Sequence, residues 1–221
     1  MNNVIVKSFC VINDTDIPMV LVGDSASMVV YGYNNTMPIT MEELLLITKS
    51  VKRGINKALI VADMPFMSYQ PSNEQAVKNA GKFIKEGGAD AVKFQLFRPE
   101  EQVSQLAKTA DYQYTNTGVT NALEMSELYS LPWESHYDIA AHCNKVGIVY
   151  MASCFDMQAV DFLLDLGGDC IKVGSGEITN YPLLGYIASK GKSIILSTGM
   201  STFQDVEGAV QAVDIPADAR E

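Results

Sequence analysis

The sequence predicts an α/β fold, a parallel sheet covered by helices. Short runs rich in Val and Ile alternate with longer stretches of helical period, the rhythm of repeated βα units. The helices carry their own start and stop residues. A chain of 221 residues, 48% of them hydrophobic, is long enough for one large domain or two small ones.

Six apolar runs read as strands: 19–23, 58–62, 91–94, 148–152, 170–173 and 193–196. Ahead of them, 4–9 and 10–12 alternate or run apolar and reach Asn13-Asp14-Thr15-Asp16, a turn-forming cluster. This reads as an N-terminal hairpin over residues 1–17, or as a seventh strand. Thr40 with Glu43 and Ser72 with Gln75 have the spacing of capping boxes, and Gly54 and Gly87 read as the left-handed stops of the helices they start. In the second helix Ala76, Val77, Ala80, Phe83 and Ile84 share one face. Later helices begin near Pro132, after Asp156, after Asn180 and after Ser201, with Gly147, Gly167 and Gly191 closing three of them. Residues 98–132 have weak periodicity, and a loop of that length is more often functional than idle.

Charge excludes several classes. With 16 Lys plus Arg against 26 Asp plus Glu, the net charge is −10, so the chain has no broad grip on nucleic acid or an anionic membrane. Its apolar runs are far shorter than the ~20 residues of a membrane span, and Met1 to Lys7 lacks the pattern of a secretory leader. Cys10, Cys143, Cys154 and Cys170 form no CxxC pair and read as reduced, mostly buried thiols of a cytoplasmic protein. His136 and His142 read as solvated or interface residues.

In parallel α/β folds ligands bind at the carboxyl ends of the strands. Those ends hold Asp24 and Ser25, Asp63, Lys93 and Gln95, Ser153, Lys172 with Gly174-Ser175-Gly176-Glu177, and Ser197-Thr198-Gly199. Asp24 and Asp63 suit a hard divalent cation, or each anchors a loop or caps a helix. Lys93 and Lys172 lie in apolar strands, where a charge needs a partner. An anionic substrate supplies one more economically than a buried salt bridge. The two small-residue turns resemble a phosphate or carboxylate cradle.

Two families are recognisable in these motifs. VGDS at 22–25, the GY–T–P–T segment and VADMPFMSYQ at 61–70 resemble ketopantoate hydroxymethyltransferase over about 18–75. GADAVKFQLFRPEEQ, MASCFD, IKVGSGEITNYPLL and ILSTGMST resemble the amino-terminal barrel region of the sialic acid (N-acetylneuraminate) synthase family over about 88–213, with a weaker likeness at 4–18. The chain then divides at 87/88 into two parts of one TIM (β/α)8-type barrel domain over 1–221.

The second resemblance implies a transferase of carbohydrate biosynthesis that condenses phosphoenolpyruvate with an N-acyl amino sugar. Lys93, Lys172 and Glu177 would be catalytic, and Gln95, Ser153, Ser175, Ser197 and Thr198 would bind substrate, with Mg or Mn as the metal and no nucleotide cofactor. The first implies 3-methyl-2-oxobutanoate hydroxymethyltransferase of pantothenate biosynthesis, with Asp24 and Asp63 holding the divalent metal, Ser25 and Lys93 the 2-oxo acid, and folate as carbon donor. A third reading is an inactive fragment or fusion, because a (β/α)8 barrel takes about 250 residues and six or seven units leave it incomplete. The partners expected are a small anionic substrate and either further copies of the chain or a chain completing the barrel.

Overall fold

A computed structural model describes residues 2–109, 114 and 118–214. In chain order its elements are α1 (Asn2–Asn13), β1 (Met19–Val22), α2 (Ala26–Val29), α3 (Met41–Gly54), β2 (Leu59–Asp63), α4 (Asn73–Lys85), β3 (Ala91–Leu96) and α5 (Pro99–Gln102). There follow α6 (Ala122–Tyr129), α7 (Trp133–Val146), β4 (Val149–Cys154), α8 (Met157–Asp165), β5 (Cys170–Val173), a 3-10 turn (Ser175–Glu177), α9 (Tyr181–Ser189), β6 (Ser193–Leu196) and α10 (Phe203–Asp214). The strands stand where the alternation of the sequence puts them, with small shifts at their ends.

Contacts divide the described residues into two compact units, the first taking in 2–94, 114, 118 and 128–150, the second 95–109, 119–127 and 151–214. Periodicity tells which side of an element faces inward and not which elements share contacts, so the division has no sequence signature.

In the first unit β1, β2 and β3 run parallel, with Val22 opposite Ala62 and Asp63 opposite Lys93. Leu44, Val51, Ile60, Phe83, Val92 and Phe94 are fully buried in its core. The Thr40 capping box is complete, its hydroxyl accepting from Glu43 N while Glu43 accepts from Thr40 N. Ser72 accepts from Gln75 N at the start of α4.

The expected hairpin at 1–17 is instead helix α1. A short apolar run does not separate strand from helix by itself, and here packing decides, with Phe9 and Ile12 set against the core. Asn13 Oδ1 then accepts from Asn56 N and Lys57 N, anchoring the end of α1. This also corrects the role of Gly54. Its φ is not positive, and a Cβ there would stand 2.7 Å from Val6 O and 2.9 Å from Phe9 Cβ. Gly54 is required by the approach of α1 to α3. At the end of α4 the left-handed residue is Gly88, φ +74°, and not Gly87.

His136 corrects another expectation: it is fully buried on the inner side of α7. Its Nδ1 lies 2.6 Å from Tyr150 Oη, and Phe94 meets it edge-on and stacks on Tyr150.

In the second unit β4, β5 and β6 are parallel, with Ser153 opposite Lys172 and Lys172 opposite Ile195. Cys154, Val160, Leu163, Ile171, Leu184 and Ile187 are fully buried. Asp156 caps α8 by accepting from Ala159 N at 2.7 Å and also receives Arg98 N. Thr202 and Asp205 exchange capping bonds at the start of α10. The weakly periodic 98–132 segment contains α5, α6 and an antiparallel bridge between Lys108 and Asn121. Residues 110–113 and 115–117 of it lie outside the described residues.

Burial lowers the His136 pKa to about 4, below the ordinary value near 6.5. The unfolded chain therefore binds the extra proton between those values, and stability must fall as pH drops through that window. The expected loss is up to roughly 3 kcal/mol, seen as a falling urea midpoint. The variant His136→Gln should lack this component of the pH slope; equal slopes for the two proteins would count against it.

Candidate functional site

The parallel register builds the site of the first unit. Asp63 ends β2, and the pairing that sets it beside Lys93 brings Lys93 Nζ to 3.0 Å from Asp63 Oδ1. The two side chains are 4% and 19% exposed. This ion pair supplies the partner for the buried Lys93, where the sequence reading prefers a substrate anion. That reading weighs each strand alone, whereas register places a carboxylate on the neighbouring strand.

Gly23 lies next along β1, and a Cβ there would meet Leu21 at 3.1 Å and Asp63 Cβ and Oδ2 at 3.6 Å. Asp24 follows, partly buried. Ser25 is exposed at the N-cap position just before α2 and makes no side-chain capping bond. It borders a groove of about 540 Å³ walled by Leu21, Val22, Ala26, Val29 and residues of α1 and α3. Among the described residues no three His, Cys, Asp or Glu side chains converge as a metal cluster. A hard cation that takes one or two carboxylates and completes its shell with water and substrate oxygens needs no such cluster. The Asp24 and Asp63 donor set fits that chemistry, with Asp63 also engaged by Lys93.

The sequence reading misses Tyr69. It is 6% exposed and sits edge-on to Phe94 at 5.3 Å between centroids. Burial first, then the negative charges of Asp63 and Asp24, push its hydroxyl well above the ordinary tyrosine range, so it stays neutral beside both carboxylates. The residue stands inside VADMPFMSYQ, but only positions directly after each strand draw attention in the sequence. Two residues before it Met67 has φ +61°, a left-handed conformation that is costly for a side chain of this size.

In the second unit the strand ends bring together a separate group. Ser153, buried, and Lys172, half-buried, are register neighbours. Gly174 leaves room for Lys172 and Phe155: a Cβ there would be 3.2 Å from the Phe155 ring and 3.9 Å from Lys172 Nζ. Ser175 opens the 3-10 turn, and its Oγ would lie 3.4 Å from a Cβ at Gly199. Glu177 accepts from Asn180 Nδ2 at 2.8 Å. Ser197 N donates to Val173 O, Thr198 is exposed, and Met200 takes φ +57°. Gln95 is exposed on β3. Lys172, Ser153 and the Gly174–Glu177 turn thus form one face of hydroxyl, ammonium and close-approach backbone.

Comparison with known proteins sorts these two groups. Residues 82–220 match the model described as the NeuB family. The chain belongs to the NeuB family. Residues 7–110 match the ketopantoate hydroxymethyltransferase model, so two family signatures overlap across β3. The chain is 42% identical over 140 residues to N,N'-diacetyllegionaminic acid synthase of Legionella pneumophila, covering 63% of this chain and 39% of that one. It is 54% identical over 84 residues to 3-methyl-2-oxobutanoate hydroxymethyltransferase of Syntrophus aciditrophicus, covering 38% and 31%. The chain therefore spans well under half the length of these curated relatives.

Among solved structures, N-acetylneuraminic acid synthetase of Leptospira borgpetersenii superposes with TM-score 0.59 at 21% identity, over 70% of this chain and 49% of that one. Phosphonopyruvate hydrolase, in a complex with oxalate and Mg²⁺, does so with TM-score 0.60 at 13% identity, over 93% and 68%. At these identities the likeness is one of fold. This NeuB-family chain has the parallel α/β fold of TIM-barrel enzymes, with six strands among its described residues against eight in a closed barrel.

The ion pair is open to test through its asymmetry. Asp63→Asn deprives an almost fully buried ammonium of its carboxylate and is expected to cost about 3 kcal/mol in urea unfolding. Lys93→Met leaves the more exposed carboxylate and should cost less. The double variant should recover part of the loss, and strictly additive effects would show that the pair is not coupled.

Proposed function

We propose that this chain carries the anion-binding half of a synthase that condenses phosphoenolpyruvate with an N-acyl amino sugar in carbohydrate biosynthesis. The observation that carries the reading is the Lys172 face, Ser153, Gly174 and Ser175 included, lying wholly within the NeuB match. Lys172 offsets the charge of the phosphate or carboxylate, hydroxyls and backbone N–H groups of the turn orient it, and Gly174 lets it approach. Glu177, held by Asn180, faces the acceptor as a proton-handling group. Gln95, Ser197 and Thr198 complete the contacts. The enol carbon attacks the aldehyde of the open-chain sugar, water adds to the resulting oxocarbenium carbon, and phosphate leaves.

Asp24 and Asp63 would hold Mg²⁺ or Mn²⁺, whose chemistry is to polarise an oxygen of the substrate. Lys93 is already held by Asp63, so its part is to share that carboxylate and steady it rather than to meet the anion alone. No helix among the described residues is long and apolar enough to cross a membrane.

A second reading has its own support. Asp24, Ser25, Asp63 and Lys93 all lie within the hydroxymethyltransferase match, which favours a 2-oxo acid such as 3-methyl-2-oxobutanoate at the first unit, with folate as donor.

Thermal unfolding separates the two. Phosphoenolpyruvate should raise the melting temperature and 3-methyl-2-oxobutanoate should not; Lys172→Met should remove the shift. The reverse selectivity would favour the second reading. Mg²⁺ or Mn²⁺ should add a further shift that Asp24→Asn abolishes, while this isosteric substitution at a partly buried strand end changes metal-free stability by about 0.5 kcal/mol or less. A metal response that survives Asp24→Asn would place the cation elsewhere.

A further inference from the structure

The amino ends of α3 and α4 and the loop that joins β2 to α4 line a groove of about 650 Å³, within the size range of small-molecule sites. None of Asp24, Asp63 and Lys93 lines it. Ile39, Met41, Phe66 and Met67 give it apolar walls, and Ser68 and Asn79 add polar groups. Asn79, buried on α4, donates through Nδ2 to Ser68 O at 2.7 Å and fixes the loop. The Ser68 side chain is not matched in this way. The residue is 5% exposed, and its Oγ is buried with no hydrogen-bond partner among the described residues. A buried hydroxyl left unpaired is costly. Beside it the exposed Met67 keeps its left-handed φ of +61°, a strain of the kind that clusters at ligand clamps.

Four charged side chains stand on the groove: Glu42, Glu74, Lys78 and Lys82. Lys82 is held by Glu42 at 3.4 Å. Glu74 and Lys78 lie one turn apart on α4, both exposed, and among the described residues neither makes an ion pair or a side-chain hydrogen bond. The helix dipole accounts for an acid in the first turn, and a lysine four residues on supports the helix. Neither effect accounts for the enclosed hydroxyl or the strained residue next to it. One carboxylate, one ammonium, a hydroxyl and an apolar wall together match a molecule that bears both charges close together on an apolar body.

We propose that this groove binds a free apolar α-amino acid. Its ammonium meets Glu74 and Ser68 Oγ, its carboxylate meets Lys78, and its side chain lies on Met41, Phe66 and Met67. Met67 is the residue that gives way to open the hydroxyl to the ligand. A plain carboxylate would be repelled by Glu74 and a plain amine by Lys78, so the groove selects the zwitterion. The site stands apart from the strand ends assigned to the anion and the cation, and it does not rest on that assignment.

The test is calorimetric titration of the whole chain with L-leucine and with the two molecules that each lack one of its charges, 3-methylbutan-1-amine and 4-methylpentanoate. L-Leucine should bind saturably at one site, and each analogue at least about tenfold more weakly. Ser68→Ala should weaken leucine binding by a similar factor while leaving the ligand-free melting temperature unchanged or raised, because it removes an unsatisfied hydroxyl. Lys78→Met, on the exposed face of α4, should weaken it likewise. Lys172→Met and Asp24→Asn should leave it unchanged, so this site holds or fails independently of the proposed reaction. Absence of saturable leucine binding overturns the proposal, as does equal binding of either analogue. Binding indifferent to both Ser68→Ala and Lys78→Met, or abolished by Lys172→Met or Asp24→Asn, overturns it as well.

Discussion

An ammonium group cannot be left in the interior of a parallel strand without a counter-charge, and much of the first unit answers that constraint at Lys93. The answering carboxylate is Asp63, delivered by the register of β2 against β3. Around it the backbone is arranged to leave room: Gly23 has no side chain facing Asp63, and Met64 N donates to Lys93 O. Tyr69 is buried against Phe94 of the same strand as Lys93, and burial first, then the charge of Asp63, keeps its hydroxyl protonated.

The second unit meets the equivalent problem differently. Lys172 is half-buried beside Ser153, near a glycine that lets its ammonium lie close to backbone. The charge here borders open turn structure, and the 3-10 turn and the loop after β6 converge on it through Ser175 and Gly199. Lys93 is thus almost fully buried against a carboxylate, whereas Lys172 is half-buried among small polar groups at the strand end.

The strands were legible because each is a run of apolar residues bounded by turn-formers. The helix starts were legible because Thr40, Ser72, Asp156 and Asn180 carry capping chemistry in their own side chains. Features created by two elements at once were not. The helical state of residues 2–13, the need for Gly54, the burial of His136 and the pairing of Lys93 each depend on a neighbour distant in sequence. The candidate site was legible as a list of residues, since strand ends can be read off one by one, but not as a set of contacts. Tyr69 escaped for the same reason, since its burial against Phe94 joins a loop residue to a strand distant in sequence.

The overlap of the two family matches, from residue 82 to residue 110, is centred on β3, the strand that carries Lys93. A βα unit delivers its chemistry from its own strand end and needs only the correct register with the strand beside it. Such units behave as interchangeable parts, provided the shared strand satisfies the demands made on it from either side. Lys93 supplies the residue that both resemblances expect at this point, and its bond to Asp63 draws on the hydroxymethyltransferase-like side alone. A charge at this point of the sheet therefore depends on the strand before it, in a stretch that both family matches cover.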